Sequence, residues 1–244
     1  VYLFCEEPAI NTLSPFLLFD MDDTILNFEA VGNQCWRQLS REYAPRMTGV
    51  TADGLYTTIR ATSDWYWADP IRHHAGRLDQ VRSRREVVSL AFDRLGVHDI
   101  ELERGMADAY NKQREELVHP FEGAVESLQR LKARGMTLGM ITNGSPDYQR
   151  RKIERFDLTQ FFEVILIEGE QGVSKPDPRI FQRALDLLHA PIDQTTMIGN
   201  DLEYDIRPAC AMGLQTIWVD LARSGLPAAG TVIPSRIISS ITEL

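Results

Sequence analysis

Residues Phe16 to Leu26 read FLLFDMDDTIL, a short apolar run that ends abruptly in carboxylates. An apolar stretch of this length, bounded by polar residues, reads as a strand buried on both faces, as in parallel sheets. Asp20 and Asp22 then stand where the strand ends and the chain turns. Side chains alternate along extended backbone, so the two acids point roughly the same way. Asp23 and Thr24 follow directly. Acids this close repel one another unless something positive lies between them, and a hard divalent cation suits such an all-oxygen setting. A solvated acidic turn is the plainer alternative, but such turns seldom follow so apolar a strand.

If these acids hold Mg2+ to work on a phosphate, the site also needs a hydroxyl or amide donor, a cation and another carboxylate. They should lie outside the carboxyl ends of other strands. Met136 to Thr142 (MTLGMIT) reads as a second strand, followed by Asn143-Gly144 as a turn, Ser145 as an N-cap and Pro146 as a first helical residue. A hydroxyl at Thr142 beside a helix N-terminus suits an anion. Val164 to Ile167 reads as a third strand, and a loop, Glu168 to Ser174, leads to Lys175-Pro176-Asp177-Pro178. Asp177 caps a helix from Arg179 to Leu188, with Lys175 just before it. A lone lysine in a loop is usually a solvated surface charge; this one matters for the company it keeps. Thr195 to Ile198 reads as a fourth strand, ahead of Gly199-Asn200-Asp201-Leu202-Glu203-Tyr204-Asp205. Asp201 sits on the turn directly after that strand. Asp205 reads either as a ligand or as the N-cap of a helix, Ile206 to Met212, stopped by Gly213.

Acid pair, hydroxyl, lysine and acid, each after a strand, resemble the four motifs of the haloacid dehalogenase superfamily. The resemblance runs from about Phe16 to the end of the chain. It implies that Asp20 is a nucleophile and Asp22 a general acid and base. It also implies that Thr142 and Lys175 hold a phosphoryl group, with Asn143 beside them as a substrate contact. Mg2+ would be held by Asp20, Asp22, Asp201 and Asp205. The fourth motif departs from the family pattern, which often reads Gly-Asp where this chain has Gly199-Asn200-Asp201. Counting back from Gly213 favours Asp201 as the direct ligand and Asp205 as a more distant or alternate one, with Asn200 also able to occupy the usual ligand place. Dehalogenases and phosphonatases lack an acid two residues after the nucleophile, so Asp22 argues against both. What remains is a Mg2+-dependent phosphatase for a small phosphomonoester, such as a sugar phosphate or nucleoside monophosphate, working through an aspartyl phosphate. A phosphomutase is the alternative. A non-catalytic binding module fits poorly, because the reactive positions all carry competent residues.

Composition agrees. The 244 residues suffice for a core plus an insertion, and 43% are hydrophobic. A net charge of -9 disfavours nucleic-acid polymers and anionic membrane surfaces as partners. No apolar stretch reaches the length of a membrane span. The start, VYLFCEEPAINTLSP, has neither a basic segment nor a long apolar one, so no signal peptide is expected. Cys5, Cys35 and Cys210 are scattered and odd in number, which fits a reducing cytoplasm without a disulfide framework. Oligomeric state is not legible.

Roughly 110 residues separate the first two strands, far more than one crossover helix requires. Their pattern is helical: Glu29 to Tyr43, Thr51 to Trp65, Ser83 to Leu95 opened by a capping box Ser83-x-x-Glu86, and Glu101 to Leu117. An all-helical insert here resembles the superfamily's helical cap. The expected fold class is therefore α/β. A doubly wound, mainly parallel Rossmann-like core of residues 1–27 plus 119–244 carries an inserted helical cap domain of residues 28–118. His119-Pro120 ends the insert, and Glu122 to Arg134 is the first helix of the returning core. Leu214 to Val219 reads as a fifth strand and Arg236 to Ile238 as a sixth, at the edge. Within the insert, Trp65 to Arg77 packs aromatics, arginines and histidines together. Arg72 and Arg77 are candidate substrate contacts there; otherwise the aromatics are cap core and the basic residues a solvated loop.

Overall fold

A computed structural model of the chain describes residues 13–227 and 232–244. Cys5 and the reading of the first residues lie outside that range. The chain divides into two compact units: the segment up to Asn27 together with His119–Leu244, and Phe28–Val118.

The first unit is built on strands β1 (Phe16–Phe19), β2 (Leu26–Asn27), β3 (His119–Pro120), β4 (Thr137–Thr142), β5 (Val164–Ile167), β6 (Thr195–Gly199), β7 (Gln215–Val219) and β8 (Arg236–Ile238). Six of them form one sheet in the order β5-β4-β1-β6-β7-β8, and every pairing in it is parallel. β2 and β3 pair antiparallel as a separate two-stranded ribbon. The chain runs from β1 out to β5 on one side, then crosses back to β6 on the other side of β1. β1 thus lies at the topological switch point, where open α/β sheets place their ligands.

The strands are apolar because helices cover them. Helices α6 (Ala124–Ala133), α7 (Pro146–Arg155), the short α8 (Glu168–Gln171), α9 (Pro178–Leu188) and α10 (Arg207–Ala211) belong to this unit. α9 shows the reason for its placement: Ile180, Phe181, Ala184, Leu185 and Leu188 share one face and pack with Leu18, Ile141 and Leu166 of the sheet. Burying each large apolar side chain contributes about 1.5–3 kcal/mol. Asp177 caps α9 by accepting from the Arg179 amide at 2.9 Å, and Pro178 opens it. Glu168 to Gln171, expected as loop, is the helical turn α8.

After β1 the chain makes a tight turn. The amides of Ile25 and Leu26 both donate to the Met21 carbonyl, at 2.9 and 3.0 Å, and Asp23 adopts a left-handed φ of 58°. Short polar residues tolerate that region best among those with a Cβ.

The second unit holds α1 (Glu29–Tyr43), α2 (Ala52–Ala68), α3 (Pro70–Leu78), α4 (Gln80–Arg94) and α5 (Ile100–Leu117). Trp36 of α1 stacks on Tyr110 of α5 with ring centroids 3.6 Å apart. Two expectations are corrected here. The capping box at Ser83 does not form: α4 starts earlier, capped by Asp79, which accepts from the Arg82 amide, while the Ser83 hydroxyl bonds to the Gly76 and Gln80 carbonyls. The stretch Trp65 to Arg77 is not a loop. Asp69 and Pro70 start α3 within it, Asp69 accepting from the Arg72 amide at 2.9 Å.

Cys35 is buried and free. No helix among the described residues is long and apolar enough to cross a membrane.

Candidate active site

The first unit gathers charged side chains at the carboxyl ends of β1, β4 and β6. Asp20 follows β1 directly, and its amide donates to the Ile198 carbonyl at 2.9 Å, continuing the pairing with β6. Its Oδ1 lies 2.6 Å from Nζ of Lys175, and the same Nζ lies 2.6 Å from Oδ1 of Asp205. All three residues are buried. The lysine is fixed by its backbone: Asn143 accepts from the Lys175 amide at 3.0 Å and donates to the Lys175 carbonyl at 2.9 Å. Asn143, expected as a substrate contact, therefore has both ends of its amide engaged in holding Lys175.

Gly199 makes room for this arrangement. A Cβ at that position would collide with the Asp205 carboxylate. The carboxylate's Oδ2 accepts from the Asp201 amide at 3.0 Å.

One ammonium between two buried carboxylates leaves a net negative charge. Burial pushes the Asp20 carboxyl above its ordinary range even though Lys175 pulls it down. Burial also pushes Asp205 up to about 7, again against the pull of Lys175. For Lys175, burial acts to lower the pKa, but Asp20 and Asp205 together outweigh it and hold the ammonium above its usual value. The carboxylates thus gain from more positive charge than one lysine supplies.

A metal ion fits that demand. Among the described residues, no group of three or more histidine, cysteine, aspartate or glutamate side chains is gathered to hold a metal. Magnesium does not require such a group, because it binds through one or two carboxylates and completes its shell with water and substrate phosphate. The oxygens at hand are all hard ligands: Asp20 and Asp205, and the Asn200 amide oxygen, which accepts from Thr24 Oγ1 at 3.4 Å.

Asp22 and Thr142 meet through α7. The Asp22 carboxylate receives Lys152 Nζ at 2.6 Å on both oxygens, and Gln149 Nε2 at 3.1 Å on one of them. The same Nε2 donates to Thr142 Oγ1 at 2.6 Å and to the Asn143 carbonyl at 3.0 Å. Neither Gln149 nor Lys152 is visible as a site residue in the sequence reading. The available signal is their spacing. With Ile153 they form the buried face of α7, an unusual place for a glutamine and a lysine.

Asp201 is engaged within its own turn. Its Oδ1 accepts from the amides of Glu203 and Tyr204 at 2.8 and 2.9 Å, so it caps the π-helical turn Leu202–Ile206. The capping role considered for Asp205 belongs to Asp201, and it is Asp205 that joins Asp20 through Lys175. Arg72 and Arg77 belong to the helical unit. The Arg72 guanidinium lies 3.9 Å from the Trp65 ring centroid and donates to the carbonyls of Trp65 and Tyr66 at 3.0 and 3.2 Å, satisfying the end of α2. Arg77 approaches His74 Nδ1 at 3.4 Å.

Residues 17–219 match the model of the haloacid dehalogenase-like hydrolase family, and the chain belongs to that family. It is 29% identical to a phosphoserine phosphatase of Thermus thermophilus, in an alignment that covers 84% of this chain and 88% of that one. It is 26% identical to the pyrimidine 5'-nucleotidase YjjG of Escherichia coli, across 94% of this chain and 95% of that one. Among solved structures, the magnesium-bound HAD-hydrolase YfnB of Bacillus subtilis shares the fold. Its TM-score is 0.73 at 22% identity, covering 95% of this chain and 97% of that one.

Proposed function

We propose that this protein is a Mg2+-dependent phosphatase that hydrolyses a small phosphomonoester through an aspartyl phosphate on Asp20. The buried Asp20 carboxylate, held by Lys175 with a second acid two residues on, is the observation that carries the reading. Its phosphoserine phosphatase and pyrimidine 5'-nucleotidase relatives support a small phosphomonoester as substrate, a nucleoside monophosphate or a sugar phosphate being the candidates.

Asp20 attacks phosphorus, and the bond from phosphorus to the ester oxygen breaks. Asp22 gives its proton to the leaving alcohol. Water then attacks the aspartyl phosphate, loses a proton to Asp22, and releases inorganic phosphate with Asp20 restored. Thr142 donates its hydroxyl hydrogen to a phosphoryl oxygen, and Lys175 offsets charge on the same group. When bound, Mg2+ would be held by Asp20, the main-chain carbonyl of Asp22 and Asp205, with Asn200 beside them, and would spread the charge that opposes attack. Asp22 argues against halide displacement, where the leaving group needs no proton.

The test is a screen for phosphate release over a panel of phosphomonoesters with Mg2+, run with Asp20→Asn alongside. The expected result is release by the wild type and none by the variant, which stays folded because the amide keeps the carboxylate's shape. A wild type inert toward the whole panel, or a variant as active as the wild type, contradicts the reading.

A further inference from the structure

We infer that Gln149 and Lys152, on one buried face of α7, are positioning residues that hold Asp22 and Thr142 in place for phosphoryl transfer. This rests on the phosphatase reading above.

α7 reads PDYQRRKIER, and its buried residues are Gln149, Lys152 and Ile153. Positions three and four apart share a helix face. A helix meeting a sheet ordinarily fills that face with apolar side chains, and a buried lysine is costly without a partner. The outward Arg150 of the same helix pairs instead with Glu170 at the surface. The partner of Lys152 is a carboxylate at the reacting end of β1, and the ammonium contacts both of its oxygens at 2.6 Å. Asp22 lies on the tight turn after the strand. Two contacts from the ammonium and one from Gln149 fix its side chain in the ionised state, and when Asp22 takes up its proton the carbonyl oxygen keeps the Lys152 and Gln149 donors while the O–H is left to face the leaving group.

Gln149 acts on a second group. Its Nε2 carries two hydrogens and lies within 3.1 Å of three acceptors, namely Asp22 Oδ2, Thr142 Oγ1 and the Asn143 carbonyl. Turning the amide over would set Oε1 against those same oxygens, so the network assigns the nitrogen to this side. Oε1 itself is buried without a hydrogen-bond partner, an arrangement that packing alone does not favour. Thr142 accepts from Gln149, which leaves its own hydroxyl hydrogen to point toward an incoming phosphoryl oxygen. One helix face thus sets the acid that protonates the leaving group and the hydroxyl that binds the phosphoryl group.

The two roles separate by substrate. An alkyl leaving group needs the proton of Asp22, whereas p-nitrophenolate leaves without one. Single-turnover phosphorylation is measured with an alkyl phosphate and with p-nitrophenyl phosphate. Lys152→Met is expected to slow the alkyl ester about ten- to a hundredfold, the scale of a misplaced catalytic group, with KM nearly constant and the aryl ester nearly unaffected. In an Asp22→Asn background the same substitution should add nothing. Gln149→Met should slow both esters, because Thr142 serves the phosphoryl group they share. If Lys152→Met fails to fold, Lys152→Gln, which keeps a donor, carries the same comparison. Equal losses on both esters from the Lys152 variant, or a full additional loss in the Asp22→Asn background, would overturn its assignment. A Gln149→Met enzyme with wild-type rates would overturn that of Gln149. A wild type inert toward both esters would overturn the phosphatase reading itself and the inference with it.

Discussion

Lys175 and Asp205 form a buried ion pair, Nζ to Oδ1 at 2.6 Å, with side chains only 3% and 1% exposed. The lysine comes from the loop before α9 and the aspartate from the turn after β6, so the pair ties two strand ends together behind Asp20. Removing one partner of such a pair leaves an unpaired buried charge and typically costs about 3–5 kcal/mol. Lys175→Met should therefore lower the melting temperature sharply and abolish phosphate release. Adding Asp205→Asn to it should recover part of the lost stability, since Asp20 still lacks its cation, and none of the activity. A Lys175→Met protein as stable as the wild type would show that the pair carries no such energy.

The difference between Asp205 and Asp201 gives a second expectation. Asp201 is engaged by the amides of its own turn, while Asp205 faces the lysine and lies with Asp20. Asp205→Ala should raise the Mg2+ concentration needed for half-maximal activity far more than Asp201→Ala does. Mg2+ should raise the melting temperature of the wild type, and Asp205→Ala should lose that rise. The opposite order would restore Asp201 as the direct ligand. Activity should fall to background in excess EDTA and return with Mg2+.

Gly199 tests the geometry without touching a charge. A methyl group there would collide with the Asp205 carboxylate, and crowding of this kind typically costs about 1–3 kcal/mol. Gly199→Ala should lose most activity while keeping its far-ultraviolet circular dichroism. Wild-type kinetics in this variant would mean that the end of β6 has more room than the structure shows.

In the helical unit, Tyr66 donates to Glu86 Oε2 at 2.6 Å while Arg82 donates to the other oxygen at 2.8 Å. Burial first, and then the hydrogen bond to Glu86, push the Tyr66 phenol up to about 12. An unfolded tyrosine titrates near ~10, so the native state keeps this proton longer. The stability it contributes is fully present below the unfolded value and is lost as pH rises through the folded one. A phenolate absorbance titration should show one late component that vanishes in Tyr66→Phe. If the late component persists in that variant, it belongs to another tyrosine.

Much of the site is legible locally. Asp20 and Asn200 follow short apolar strands and Thr142 ends one, and strands of that kind end where water begins, so the polar residues at their ends are marked by sequence alone. Lys175 is marked by the capped helix that starts just after it. Gln149 and Lys152 are not marked in this way. On a helix rich in charge they read as surface residues, and only the packing of α7 against β4 and the turn after β1 turns them inward. Arg72 reads as a candidate substrate contact because it stands in a local basic spot of the insert. In three dimensions the Trp65 ring and the carbonyls at the end of α2 take up its guanidinium.

The sequence by itself determined the strand order of polar groups, the helical insertion after the first motif, and the family. Each of these is written in patterns of a few residues, where periodicity and capping chemistry act locally. Only the tertiary structure decided which acid of the fourth motif turns toward Lys175. Asp201 and Asp205 lie on one turn, and their spacing is compatible with either choice. The turn is wide, with the Asp205 and Ile206 amides both donating to the Asp201 carbonyl, at 2.9 and 3.2 Å. That path, together with the space left by Gly199, carries Asp205 inward and leaves Asp201 at the helix start. The choice depends on contacts between residues distant in sequence, which no local pattern encodes.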